Sequence, residues 1–157
     1  MDRDLPHSGD PLLQRALAAG EQAWRRGDLR DAHLLLELAL SRARWRNDPA
    51  GMLSAGQLLG HVAYAAGDLE GACVYHLEVL DRSRALGLAL GEASALHNLG
   101  LVAAAQGEPA LAHQLITAAA TRYTALGHAQ GAADAHANLE RLATQWARAY
   151  GGDDERG

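Results

Sequence analysis

The side chains with the widest chemical repertoire in this chain are eight histidines, and their spacing decides what they can do. Ligands that share a metal ion on one helix stand three or four residues apart. His33 and Glu37 meet that rule most simply, and two ligands leave a site incomplete. Asp31 and His33, like Asp134 and His136, lie two apart; on a helix such side chains point in nearly opposite directions, so neither pair forms a local acid–base dyad. His61, His97 and Tyr64 remain as candidates for a metal or proton-transfer pocket if the fold brings them to one face. His76 fills a slot that is otherwise apolar and is expected to be packed, bonded to a nearby backbone carbonyl. The chain has no phosphate loop, dinucleotide fingerprint, HExxH or nucleophile elbow. It is read as a non-enzyme, with no catalytic residue, cofactor or metal assigned.

Something must position these groups, and composition narrows what. A chain of 157 residues has room for one domain with an ordinary core. With 48% hydrophobic residues, 4% aromatic and no Phe, it suits closely packed helices better than a sheet. The net charge of −5 is spread along the whole length, which argues against nucleic acid as a partner. The densest basic stretch, Arg42, Arg44 and Arg46, falls in the last turn of an expected helix, where cations offset the macrodipole and stay solvated. Cys73 is the only cysteine, so an internal disulfide is excluded and a reducing compartment fits. The opening MDRDLPHSGD has no apolar core of a leader, and no apolar run reaches membrane-spanning length. A cytoplasmic location without a membrane partner is expected.

The elements show themselves by repetition. Gly27-Asp28, Gly67-Asp68 and Gly107-Glu108 lie 40 residues apart, in phase with the series Gly20, Gly60, Gly100 and the series Ala32, Ala72, Ala112. A fixed period of this size marks stacked repeats. Asp10-Pro11 and Asp48-Pro49 set a capping carboxylate before a proline at the first helical position, and Glu108-Pro109 comes close to it. Gly27, Gly67 and Gly107 supply the left-handed residue that closes a helix. Seven helices are expected, over 11–26, 28–46, 49–66, 68–86, 90–106, 108–126 and 130–149. Apolar stripes such as Leu96, Leu99, Val102 and Ala103, or Leu111, Leu115, Ile116 and Ala119, face a core. In the last helix Leu139 keeps the register of Leu59 and Leu99, but Glu140 replaces the glycine and no second helix follows, so it reads as a cap.

These marks resemble the tetratricopeptide repeat, which has Leu-Gly and a small residue three further on in one helix, then Ala-x-x-x-apolar in the next. Leu99-Gly100-x-x-Ala103 with Ala112-x-x-x-Ile116 fits well, Leu59-Gly60-x-x-Ala63 with Ala72-x-x-x-His76 fits apart from the histidine, and Ala19-Gly20-x-x-Ala23 with Ala32-x-x-x-Leu36 is looser. The period exceeds the usual value of about 34. The customary aromatic near the start of each first helix is replaced by Ala16, Gly56 and Leu96. The stretch LGLALGEASALHNLGLVAAAQGEPALA is similar to the long variant of bacterial regulators and of polarity or motor adaptor proteins. The resemblance implies an all-α, right-handed α-solenoid of three hairpins, about 11–48, 49–88 and 89–128, plus a capping helix at 130–149. Residues 1–10 and 150–157 are expected to be flexible ends.

In such a stack the first helices of successive hairpins line a concave face, and positions one repeat apart form columns along it. One column holds Gln14, Ser54, Ser94 and Asp134; the next Leu17, Gln57, His97 and Ala137; a third Glu21, His61, Leu101 and Arg141; a fourth Trp24, Tyr64, Ala104 and Thr144. Another holds Ala18, Leu58, Asn98 and Asn138, and asparagine before Leu in this slot is typical of the long variant. The resemblance makes Asn98 and Asn138 candidates for clamping an extended peptide backbone. Trp24 and Tyr64 are expected as an aromatic anchor. With them His61 and His97 are expected to select side chains, Glu21, Asp134 and Arg141 to match charge, and Gln57 to line the groove. Trp45 and Trp146 read as wedges against neighbouring helices.

The expected function is a non-catalytic scaffold or adaptor that holds a peptide or protein segment in the groove. The alternative is a regulatory sensor binding a small effector or a transcriptional regulator, with a biosynthetic role for the His61, His97 and Tyr64 pocket a further reading. Self-pairing through the N-terminal helices would give a homodimer.

Overall fold

The computed structural model describes residues 9–150, and the described chain is all helix. Its seven helices are α1 (Pro11–Arg25), α2 (Leu29–Trp45), α3 (Pro49–Ala65), α4 (Leu69–Leu86), α5 (Ala89–Ala105), α6 (Pro109–Ala125) and α7 (Ala129–Tyr150). Each helix packs chiefly on the next in the chain, and α1 also touches α3 as α5 touches α7. The result is a stack of antiparallel hairpins, α1–α2, α3–α4 and α5–α6, closed by α7. Every helix lies within one or two residues of its expected bounds. The flexible ends expected from the sequence fall largely outside the described residues. Asp10 does not belong with them, because it is buried at the start of α1.

The caps explain the boundaries. Asp10 accepts from the backbone N–H groups of Leu12 at 3.0 Å and Leu13 at 3.4 Å, Asp48 from Gly51 at 3.0 Å, and Asp68 from Gly71 at 2.9 Å, so donors that a helix start leaves unpaired are satisfied. At the other end Gly27 takes φ 83°, its N–H bonds the Trp24 carbonyl and the Asp28 N–H bonds the Ala23 carbonyl, both at 2.9 Å. That paired closure is the Schellman arrangement. A second set of left-handed residues, Asn47, Gly87 and Gly127, closes the second helix of each hairpin at the same interval.

Between the helices the core is Ala and Leu, and its closeness depends on one glycine series. A Cβ at Gly20 would come within 2.6 Å of Leu36, at Gly60 within 2.4 Å of the His76 ring, and at Gly100 within 2.4 Å of Ile116. The large residue of each second helix therefore sits directly on the glycine of the first. In α7 the equivalent position is the exposed Glu140, consistent with a helix that receives no such partner.

Arg42, Arg44 and Arg46 stay solvated as expected, Arg44 and Arg46 being exposed, and all three are also ion-paired. Arg42 and Arg46 reach Asp10 at 2.7 and 3.2 Å, while Arg44 reaches Glu78 at 3.2 Å. Further along, Glu92 bridges Arg84 and Arg122 at 3.1 and 3.0 Å. The Arg42 hydrogen bond, working against burial, holds the Asp10 carboxyl below its ordinary range. Trp45 and Trp146 are not wedges: they are 73% and 45% exposed, Trp45 beneath the Arg42 guanidinium and Trp146 beside Tyr150.

Candidate functional site: one face of α1, α3, α5 and α7

Helical spacing places the columns on a single open face. Gln14, Ser54, Tyr64, Asp134 and Arg141 are exposed, and Leu17, Glu21, Trp24, Gln57, His61, His97, Asn98 and Asn138 are half-buried. The rows beside them, including Ala55, Leu59 and Val62 or Ala95, Leu99 and Val102, are buried. The outer helices α1 and α7 are amphipathic, with polar sides turned to solvent, whereas α3 and α5 are apolar nearly all round and set individual polar side chains into the face.

Three hollows lie along it. The largest, about 900 Å³, is lined by Gln14, Leu17, Ala18 and Glu21 of α1 and Ser54, Gln57 and Leu58 of α3, with Val79 of α4 also in its wall. A second, about 300 Å³, brings Tyr64 of α3 together with Leu101 of α5 and Asn138, Arg141 and Gln145 of α7. A third, about 520 Å³, is formed by His97, Asp134, Ala137, Asn138 and Arg141. Leu58, Val79 and Gln145 were not among the expected binding residues. Val79 comes from a second helix, and no column of first-helix positions could have pointed to it.

Each of His61 and His97 is bonded to the asparagine of the following first helix. Asn98 Nδ2 lies 3.2 Å from His61 Nε2, and Asn138 Nδ2 lies 2.7 Å from His97 Nε2. Asn138 also accepts from Arg141 through its Oδ1. Both asparagines thus bond a neighbouring histidine through Nδ2. Trp24 and Tyr64 are separated: Trp24 stacks on His61 with centroids 5.3 Å apart, while Tyr64 belongs to the second hollow. No ring contact joins the two among the described residues.

Behind His61 lies His76, their rings 5.5 Å apart. His76 is 1% exposed, and its Nδ1, like that of His61, is buried without a hydrogen-bond partner among the described residues. The backbone carbonyl expected for His76 is not at Nδ1. Burial, assisted by the neighbouring His61, pushes the His76 pKa down from 6.5 to about 4. Burial also lowers His61, opposed by the Asn98 bond, and lowers His97, opposed by the charge of Asp134. All three rings are neutral near pH 7. Charge on the face is partly satisfied internally, with Glu21 paired to Arg25 at 2.6 Å and Asp134 accepting from Gln130 at 2.8 Å. Among the described residues, no three His, Cys, Asp or Glu side chains converge as a metal site.

Fold and face together define an all-helical stack of hairpins whose first helices carry a row of hollows lined by both polar and apolar side chains. No family model matches the chain, and no curated protein matches it. Among solved structures it is similar to the crystal structure of BtubC (BKLC) from P. vanneervenii, with a TM-score of 0.73 and 22% sequence identity over 85% of this chain. The match spans 55% of that chain, and at this identity it establishes the fold.

Proposed function

We propose that the protein is a cytoplasmic, non-catalytic interaction scaffold of the tetratricopeptide type, which holds an extended peptide or protein segment along the face of α1, α3, α5 and α7. The observation that carries this reading is the continuity of that face: three hollows follow one another along it, lined by amide, hydroxyl, imidazole and aliphatic side chains. Such a mixture suits main-chain hydrogen bonding with shallow side-chain pockets. The 40-residue register and the close glycines support the same reading; no helix among the described residues is long and apolar enough to cross a membrane.

The test is a selection of random peptides displayed on phage against the immobilised protein, repeated with a Leu17→Arg, Gln57→Arg variant that fills the largest hollow. The scaffold reading expects a peptide family enriched on the wild type and lost from the variant at unchanged helicity. Equal enrichment on both would refute binding at this face. The size of the largest hollow, within the range of small-molecule sites, favours a small-effector sensor as the second reading; saturable binding of a metabolite without any protein partner would select it. A second copy is the remaining partner, and Leu34 and Leu38, exposed one turn apart on α2, would form its contact; a Leu38→Glu variant would then sediment as a monomer.

A further inference from the structure

The two histidine–asparagine rungs make Asn98 and Asn138 chemically unequal. An amide nitrogen can only donate, so with each amide oriented Nδ2 toward the ring, His61 and His97 accept through Nε2. Their ring protons then sit on Nδ1, because the bond at one nitrogen sets the tautomer at the other. His61 holds this state although its Nδ1 is buried without a partner, pinned between the Trp24 and His76 rings.

Each histidine thereby fixes which end of its asparagine faces away. For Asn98 the carbonyl Oδ1 is left, with no hydrogen-bond partner and not sealed from solvent. For Asn138 that carbonyl is occupied by Arg141, and the guanidinium so held lines both of the smaller hollows. One rung ends in an acceptor, the other in a cluster of donors.

Resting on the proposed groove, we infer that His61 and His97 are positioning residues that give the site a polarity: Asn98 Oδ1 takes an N–H of the bound segment, and Arg141, held through Asn138, takes a carbonyl or carboxylate oxygen. The occupant this fits is an extended peptide read in one chain direction. His61 acts through Asn98, and His97, although it also lines the third hollow, acts through Asn138.

The test has two parts. The first uses ¹⁵N spectra of the free protein, which report the protonated ring nitrogen directly. His61 and His97 are expected as Nδ1–H tautomers, and Asn98→Leu is expected to release His61 alone. Both rings as Nε2–H in the wild type would overturn the inference whatever the protein binds. The second part measures affinity for a peptide selected on the wild type. His61→Leu is expected to weaken it about tenfold, as Asn98→Leu does, with the double variant no weaker than either because the two act as one unit. His61→Gln, which can still accept, is expected to restore most of the loss. Full affinity in His61→Leu alongside a loss in Asn98→Leu would sink the positioning role and leave the groove standing. Unchanged affinity in both Asn98→Leu and Arg141→Leu would remove the groove contacts themselves.

Discussion

His76 shows how much one side chain can set the response to acid. The first and third hairpins carry Leu36 and Ile116 in its place, each fully buried over a glycine, so His76→Ile puts a residue the stack already accommodates into that slot. It also removes a ring nitrogen with no partner, which costs about 1–3 kcal/mol when buried. The variant should therefore be more stable than the wild type by about that amount, measured by urea unfolding at pH 7. The pH dependence has a definite sign. His76 titrates at 6.5 unfolded and about 4 folded, so the unfolded chain binds the extra proton. Stability is fully present above pH 6.5 and falls as pH drops toward 4, by about 3 kcal/mol from this residue. His61 and His97, also lowered, add to the loss. Unfolding midpoints measured across that window should fall steeply in the wild type and less steeply in His76→Ile.

At the scale of elements, the hairpin is held by a glycine opposite a large residue and by carboxylates at the helix starts. Gly100→Ala should destabilise by about 1–3 kcal/mol: the Cβ would meet Ile116 at 2.4 Å and its backbone N at 3.2 Å, and overpacking of that kind outweighs the gain in helix propensity. Asp10→Ala removes a cap and two arginine contacts at once, and a loss of about 2 kcal/mol is expected by thermal unfolding. These elements were legible in the sequence because caps, closing glycines and the apolar period act locally. The 40-residue phase supplied the pairing of helices without any long-range information. Asn47, Gly87 and Gly127 escaped notice because their three members do not share one residue type. The asparagine and histidine roles were less legible for a different reason. Columns place residues on a face, but whether Asn98 points at a ligand or at His61 depends on side-chain geometry between helices 37 residues apart, which periodicity does not encode.

For the whole molecule, the stack is a one-dimensional array in which each hairpin is stabilised by its neighbours. Its first helix meets no hairpin before it among the described residues. There Arg15 and Gln22 are exposed at positions filled by the buried Ala55 and Val62, then Ala95 and Val102, in later hairpins. Hydrogen exchange should accordingly be slowest in α3 to α5 and fastest beyond Ala143 in α7, where the helix is exposed. On the proposed reading, the face over α1, α3, α5 and α7 holds an extended segment. That reading is tested most directly by amide shifts in the protein titrated with a peptide selected on it. The account predicts shifts concentrated at Gln14, Leu17, Ser54, Gln57, Asn98 and Arg141. Shifts confined to the outer side of α2, α4 and α6, around Leu34, Val74 and Leu111, would contradict it.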